Sequence, residues 1–281
     1  MGLTSDGPIA RIALTEGGIS ESVEPARFEG TADILIIAVK ATALGSATRT
    51  ARQLVGPHTM IIPMLNGVPW WLVEGLRLNS IDPDGSIAEA FPLGQVIGCV
   101  VHASCSRVGA GQILVKHADK LIVGEPGGES SERLARVYAR FERAGLRPDQ
   151  TGNIRRAIWY KLWGNATINP LSALVRTTCD RILADPECRS WMLEGMAELA
   201  AIGASIGCPI TESGEDRMAV TARLGAFKTS MLQDVEAGRP IELEALLGAP
   251  REIARHHGVP TPALDRLYGV TKLMAESAGL I

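Results

Sequence analysis

Two short aliphatic runs, each followed by a helix-like stretch, constrain the fold of the first half of this sequence most strongly. The first run, ILIIAV at residues 34–39, leads through a polar break into a helical stretch that ends near Val55. The second apolar run closes at Asn66-Gly67 and leads into another helical stretch. Strand, helix, strand and helix at this spacing predict a parallel sheet with right-handed crossovers.

Polar residues close both runs, Lys40 the first and Asn66 the second. In open α/β sheets, small ligands bind beyond the carboxyl ends of the strands, so this pair predicts a binding edge. Each residue also has a structural interpretation. A lysine at a strand end often only terminates the strand, and Asn-Gly is commonly just a turn.

The pattern changes between about Gly98 and Glu125, where several short antiparallel strands are expected at one edge of the sheet. The stretch GAGQIL at residues 109–114 is close to a dinucleotide-binding fingerprint, but Leu114 occupies the third glycine position and no helix follows. A helix is expected from about Ser130 to Ala144.

The second half reads as helices alone from Arg155 onward, and most of the helical stretches end near a glycine. A chain of 281 residues favours two domains over one. The pattern breaks at PDQTGN, so the predicted domains are residues 1–150 and 151–281. The predicted fold class is α/β plus all-α, with a parallel-sheet domain followed by a helical C-terminal domain.

Composition excludes several functional classes. A net charge of −3 and a pI near 6.0 give no basic field for nucleic acid. Apolar runs are too short for a membrane span, and the N-terminus lacks a charged start before an apolar core, so a cytoplasmic location is expected. The five cysteines form no CxxC pair and are interpreted as buried free thiols, with no metal site.

The helical stretch KLWGNATINPLSAL places Lys161, Asn165 and Asn169 four residues apart. Successive i, i+4 side chains drift by only about 40°, so the three form one polar stripe over roughly 12 Å. Two interpretations stay open at this point. The stripe is either a solvated flank, with Asn169-Pro170 ending or kinking the helix, or a functional surface beside a buried core.

A second polar segment runs through TSMLQDVEAGRPIELEAL, residues 229–246. Thr229 and Ser230 precede an apolar pair, and Glu242 opens the next helix after a turn. A carboxylate in the first turn of a helix also has an ordinary explanation, because it complements the helix dipole.

Five stretches resemble successive landmarks of the ketopantoate reductase (2-dehydropantoate 2-reductase) family over nearly the whole chain. They are ILIIAVKA, MLNGV, YKLWGNATINPLSAL, SMLQDVEAGRPIELEALLG and HGVPTPALDRLY. The resemblance implies a Rossmann-type NADP-binding domain, a helical domain and an active site in the cleft between them. It implies NADPH-dependent reduction of a 2-keto acid, with 2-dehydropantoate as the first expected substrate in pantothenate biosynthesis.

The same resemblance assigns roles to residues. Lys161 matches the catalytic lysine that gives a proton to the ketone oxygen, and Glu242 a glutamate near both cofactor and substrate hydroxyl. Asn165, Asn169 and Ser230 match substrate-binding residues. Lys40, Asn66 and Ala103 match cofactor contacts. No metal is implied.

The sequence departs from the family pattern in three places. Met1-Gly2-Leu3 resembles a point roughly 50 residues into the usual domain, a gap estimated from the size of a βαβ unit, so the GxGxxG turn that would hold the pyrophosphate is absent. A misplaced start and a shortened chain both explain this. Cys179 stands where the family often has another substrate-binding asparagine, and VPWW adds bulk near the expected cleft at Trp70 and Trp71.

Two other hypotheses remain beside the reductase. The missing glycine turn also suits a non-catalytic binding or assembly module. Another β-hydroxyacid dehydrogenase would share the architecture but not the SMLQD and HGVPTP stretches. The apolar helices of the second half are compatible with a homodimer.

Overall fold

The structure, a computed structural model, describes residues 30–109 and 112–281 and, before them, five short strands. The strands are β1 (Gly2–Thr4), β2 (Gly7–Ile9), β3 (Arg11–Ile12), β4 (Ile19–Ser20) and β5 (Ser22–Val23). β1 pairs antiparallel with β2, and β3 with β5. Ala110 and Gly111 of the stretch GAGQIL lie outside the described residues, as does Met1 at the predicted point of departure from the family.

The predicted strand–helix–strand unit is present. Strand β6 (Ile34–Ile37) pairs parallel with β7 (Met60–Pro63). Helix α1 (Leu44–Ala51) connects them, flanked by 3-10 turns at Ala41–Ala43 and Arg52–Leu54. All four residues of β7 are buried, as expected for a strand covered on both faces.

The helical stretch predicted directly after β7 is wrong. Residues 66–84 form turns and bends, and the next helix, α2, begins only at Ser86 (Ser86–Ala90), before a 3-10 turn at Leu93–Gln95. Pro69 and Pro83 carry no amide hydrogen for a helical ladder, and Gly75 takes a left-handed conformation with φ 73°. These three residues together prevent a continuous helix.

The region from Gly98 to Gly124 holds two long strands instead of several short ones. Strand β8 (Gly98–Gly109) and strand β9 (Gln112–Gly124) pair antiparallel with three shifts in register. Strand β4 pairs with β9 as well. The shifts interrupt the alternation of side chains, so the sequence pattern reads as separate short strands.

Helix α3 (Glu132–Arg143) confirms the helix predicted between Ser130 and Ala144. The hydroxyl of Ser131 caps it by accepting the amide hydrogen of Leu134. The following segment forms a strand that the sequence did not indicate, β10 (Pro148–Gln150), which pairs parallel with β9. The buried face of α3 packs on the sheet in one core, whose members include Ile62, Ile97, Val123, Leu134 and Phe141.

The second half is helical, as predicted. Its helices are α4 (Ile154–Val175), α5 (Cys179–Ala184), α6 (Pro186–Ser205), α7 (Gly214–Ala222), α8 (Ser230–Glu236), α9 (Ala249–His257) and α10 (Pro262–Ser277), with a π-helical turn at Glu244–Gly248 before α9. Helix α4 runs through Pro170 for five more residues, so the proline does not end it. A mixed sheet with helices, followed by helices alone over residues 158–281, confirms the predicted fold class.

The chain divides into two compact units. One comprises Met1–Leu65 and Gly85–Ala157, and the other Asn66–Asp84 and Ile158–Ile281. Residues 66–84, predicted for the first domain, therefore pack with the helical unit. The division at residues 150 and 151 stays a prediction from the sequence.

The cysteines differ in exposure. Cys99, Cys179 and Cys208 are buried free thiols, as predicted, whereas Cys105 is exposed and Cys188 is half-buried. Among the described residues no group of histidine, cysteine or acidic side chains could hold a metal ion. None of the helices in the described part of the chain is long and apolar enough to cross a membrane.

A buried ion pair ties α3 to the sheet of the first unit. The Glu125 carboxylate is fully buried, and the Arg133 guanidinium donates to it, with Nε 2.7 Å from Oε1. The hydroxyl of Ser131 donates to the same carboxylate. The hydrogen bond to Glu125 raises the pKa of Arg133.

Replacing Arg133 with methionine should lower the free energy of unfolding by about 3 kcal/mol, because it leaves the Glu125 carboxylate buried without a cation. Arg136→Met is the matched control, since Arg136 is exposed on the same helix. Denaturation in urea measures both variants. Equal stability of the two would contradict a role for this ion pair.

Candidate active site

The polar stripe predicted on α4 exists, and the helix is anchored on its other side. The indole N–H groups of Trp159 and Trp163 donate to the carbonyl oxygens of Leu199 and Met196 on α6, at 2.9 and 2.8 Å. Both rings are buried. Because these bonds fix the rotation of α4, the flank opposite α6 is the one on which a polar stripe can lie.

The three residues of the stripe differ in burial. Lys161 and Asn165 are half-buried, and Asn169 is buried at 5% exposure. The amide side chains of Asn165 and Asn169 make no hydrogen bond to another residue of the described ranges 30–109 and 112–281. Buried amides need partners, so this flank has donors and acceptors that a polar ligand can satisfy.

The ammonium of Lys161 donates a hydrogen bond to Oδ1 of Asn66 at 2.8 Å. Asn66 begins the irregular segment that packs with the helical unit, and it is half-buried. This bond brings together two residues 95 positions apart that the sequence assigned to different roles.

The turn that carries Asn66 is held by backbone contacts. Gly67 has a φ of 80°, and a Cβ atom there would lie only 2.4 Å from the carbonyl oxygen of Ala245. The same oxygen accepts the amide hydrogen of Val68 at 2.9 Å. Only glycine fits this approach, so the Asn-Gly pair is more than a generic turn.

Ala245 lies in the π-helical turn, and Glu242 lies just before it. Glu242 is buried at 4% exposure, and its carbonyl oxygen accepts the amide hydrogen of Leu246 at 3.1 Å. The amide of Ile241 donates to the carbonyl of Leu280 at 3.1 Å, which fixes the segment at its other side. Single π-helical turns are rare in proteins overall, but those that occur are often at functional sites.

Ser230 is placed by the residue before it. The hydroxyl of Thr229 caps α8 by accepting the amide hydrogen of Leu232, and it lies 2.5 Å from the hydroxyl of Ser172 on α4. Ser172 and Thr229 are both buried. This hydroxyl pair brings the first residue of α8, the half-buried Ser230, beside the last turns of α4.

Lys40 and Ala103 belong to the first unit. Lys40 is half-buried and precedes the 3-10 turn at Ala41–Ala43, and its carbonyl oxygen accepts the amide hydrogen of Ala43. Lys40 and Asn66 each follow their parallel strand by three residues. Ala103 is exposed on β8, next to a register shift.

The residues at two of the three departures from the family pattern, Cys179 and the tryptophan pair Trp70 and Trp71, are buried. Cys179 is only 1% exposed, and burial raises the pKa of its thiol to about 11, so the thiol is protonated at neutral pH. Trp70 and Trp71 are each 5% exposed. These two rings are part of the buried core of the helical unit, and their effect on the expected cleft stays a prediction.

Sequence reasoning missed three features of the helical unit: the Ser172–Thr229 hydroxyl pair, the docking of Gly67 on Ala245 and the π-helical turn. The first two involve partners 57 and 178 positions apart, which no local pattern reports. The Asn-Gly pair was the only local signal for the second.

The arrangement supplies an ammonium donor, two amides, a hydroxyl and a buried carboxylate within one unit. An ammonium can donate a proton to a carbonyl oxygen and stabilise negative charge that develops there. Amide and hydroxyl groups can bind the other oxygens of a small polar substrate. Such a set suits acid–base chemistry on a carbonyl compound.

Gly67→Ala should lower the free energy of unfolding and weaken any activity that depends on Lys161, because the new Cβ would collide with Ala245 and shift Asn66. Gly75→Ala is the matched control. Gly75 has a φ of 73° in the same segment, but nothing lies within 4 Å of its Cβ position. Both variants carry the conformational strain of about 1–2 kcal/mol, and only Gly67→Ala carries the collision. Urea denaturation that gives equal values for the two would argue against the docking contact.

Comparisons with known proteins identify the family of the chain. The model of the family Ketopantoate reductase PanE/ApbA matches residues 11–128, and the model of its C-terminal domain matches residues 153–275. The chain is 37% identical to the 2-dehydropantoate 2-reductase of Mesorhizobium japonicum, over 95% of this chain and 86% of that protein.

Two solved structures are similar throughout. A ketopantoate reductase homologue from Ralstonia solanacearum MolK2 is 50% identical, with a TM-score of 0.86, over 90% of this chain and 79% of the other. The 2-dehydropantoate 2-reductase from Methylococcus capsulatus is 31% identical, with a TM-score of 0.77, over 90% and 77%. Their shared architecture is a Rossmann-like domain followed by a helical domain. The chain belongs to the ketopantoate reductase family of oxidoreductases.

Proposed function

We propose that this protein reduces a 2-keto acid to the 2-hydroxy acid, with 2-dehydropantoate as the first substrate to test and pantoate as its product, in pantothenate biosynthesis. The observation that carries the proposal is the Lys161 ammonium, held by Asn66 on the same flank of α4 as Asn165. Reduction of a ketone adds a hydride to carbon and a proton to oxygen, and a positioned ammonium can give that proton.

Homologues of the family depend on a nicotinamide dinucleotide, and we propose NADPH. The residues of the described chain fit an anionic dinucleotide in one respect, since Lys40 supplies a half-buried cation after a parallel strand. Ligands bind at this end of parallel strands. We assign Lys40, Asn66, Ala103 and Glu242 as cofactor contacts, and the bound nicotinamide would supply the hydride.

Lys161 is the proposed general acid. Its Nζ would release a proton to the ketone oxygen as negative charge builds there, and Asn66 would keep Nζ oriented through the 2.8 Å hydrogen bond.

Asn165, Asn169 and Ser230 are the proposed substrate-binding residues, and Glu242 the proposed second catalytic residue. The two amides can donate to carboxylate and hydroxyl oxygens. The buried Glu242 can accept a hydrogen bond from a substrate hydroxyl, which would fix one orientation of the substrate.

Lys161→Ala should lower kcat by about 100- to 10,000-fold, the usual contribution of a positioned proton donor. The measurement is loss of NADPH absorbance with a panel of 2-keto acids. Lys272→Ala is the control, since Lys272 is an exposed lysine paired with Glu276 on its own helix. Wild-type turnover by Lys161→Ala on every keto acid that the protein reduces would sink the proposal.

Titration with NADPH should quench tryptophan fluorescence in a saturable way, because Trp159 and Trp163 lie on α4 on either side of Lys161. Lys40→Gln should weaken NADPH binding by about tenfold through loss of a charge-assisted contact. Lys120→Gln is the control from the same unit, because Lys120 is paired with Asp149 at 2.8 Å. Quenching by NADH at equal affinity would refute the NADP preference, and an unchanged affinity of Lys40→Gln would refute its role.

A small keto acid is thus the proposed partner. The expected homodimer and cytoplasmic location stay predictions.

A further inference from the structure

An arginine of α7, Arg217, packs against helix α4. The guanidinium of Arg217 sits over the ring of Tyr160, with Cζ 5.6 Å from the ring centroid, and its Nη1 donates to Thr221 Oγ1 at 3.1 Å. A Cβ atom at Gly164 would lie within 3 Å of three guanidinium atoms. Arg217 therefore fills a notch in α4 that exists because residue 164 has no side chain.

Arg217 has no acidic partner among the residues of the described ranges. The two carboxylates next to it in sequence are engaged elsewhere, Glu215 with Arg189 and Asp216 with the hydroxyl of Ser213. Its Nε is buried and meets no hydrogen-bond acceptor. Burial lowers the pKa of the guanidinium. A half-buried cation without an anion is costly, so a bound anion would stabilise this position.

The notch is on the same flank of α4 as the proposed proton donor. Gly164 follows Lys161 by three positions and precedes Asn165 by one, and residues three apart on a helix have Cβ atoms about 5–6 Å apart. Tyr160, Lys161 and Asn165 are the half-buried positions around it, whereas Leu162, Trp163 and Ala166 point into the core. The guanidinium thus lies against the position one helical turn from Lys161, beside a partly open surface of α4.

We propose that Arg217 binds the carboxylate of the keto-acid substrate while Lys161 faces its ketone oxygen. This inference rests on the proposed reduction of a 2-keto acid. In such an acid the carboxylate carbon is bonded directly to the ketone carbon, so two cations one helical turn apart match its two ends. Arginine suits the carboxylate because its planar fork donates two parallel hydrogen bonds.

An anion at Arg217 has a second chemical source, the phosphates of the dinucleotide. The two sources differ in what they predict. If the anion is a substrate carboxylate, replacing Arg217 weakens binding of the keto acid and the hydroxy acid product but not of NADPH. If the anion is a cofactor phosphate, replacing Arg217 weakens binding of NADPH even without substrate.

The test is Arg217→Gln in the full chain, with three measurements: KM for the keto acid, inhibition by the hydroxy acid product, and affinity for NADPH from tryptophan quenching. KM and the inhibition constant should each rise about 10- to 100-fold, which corresponds to the free energy of a hydrogen bond to a charged group. The NADPH affinity should stay within about twofold. The uncharged amide of the product should bind the variant and the wild type alike. Arg223→Gln, an exposed arginine at the end of α7, is the control and should change nothing.

A second variant moves the guanidinium without removing it. Gly164→Ala fills the notch, and alanine favours the helix over glycine, so α4 should fold. It should raise KM as Arg217→Gln does. The double variant should be no worse than the more impaired single variant, because both act on the same contact.

Two results would overturn the inference. One is a loss of NADPH affinity in Arg217→Gln with an unchanged inhibition constant for the hydroxy acid, which would assign the arginine to a phosphate. The other is a lower free energy of unfolding with unchanged KM, which would leave it a packing role over Tyr160. Absence of keto-acid reduction in the wild type would instead refute the proposed function, so the two failures are distinguishable.

Discussion

The hydrogen bond from Lys161 to Asn66 is the contact on which the candidate site depends. It joins the long helix α4 to the irregular segment that follows β7. A lysine side chain has four rotatable bonds, so an orienting partner is needed before it can give up a proton in one direction. Orienting the lysine costs conformational entropy, and packing elsewhere offsets that cost. Asn66 is held in place because Gly67 and Val68 dock on Ala245.

The helical unit tolerates so many polar groups because most of the buried ones are paired with one another. The tryptophan N–H groups of α4 bond to carbonyls of α6, and Ser172 pairs with Thr229. Each pairing removes a desolvation cost of about 1–3 kcal/mol. The amides of Asn165 and Asn169 depart from this pairing, as do the buried Nε1 of Trp71 and Oγ1 of Thr167 among the described residues.

The sequence was sufficient for elements whose pattern is local. The alternation around β6, α1 and β7 and the stripe of Lys161, Asn165 and Asn169 were both predictable from spacing, since side-chain periodicity follows from backbone geometry. The helix predicted after β7 failed, because an apolar segment with two prolines and Gly75 packs as turns without a continuous ladder of helical hydrogen bonds. The pairing of Asn66 with Lys161 was beyond reach, because it depends on contacts between residues far apart in the chain.

The positive charges at and beside α4 connect the pairing of polar groups with the choice of ligand. Arg217 packs against α4 at Gly164, and burial disfavours its charge because the local dielectric is low. The fold keeps both Arg217 and Lys161 there without an acidic partner for the arginine, while it satisfies Arg133 and Arg239 elsewhere with the carboxylates of Glu125 and Asp234. A buried guanidinium without a carboxylate attracts an anion. Binding of an anionic substrate would then offset the cost of burying the Arg217 charge.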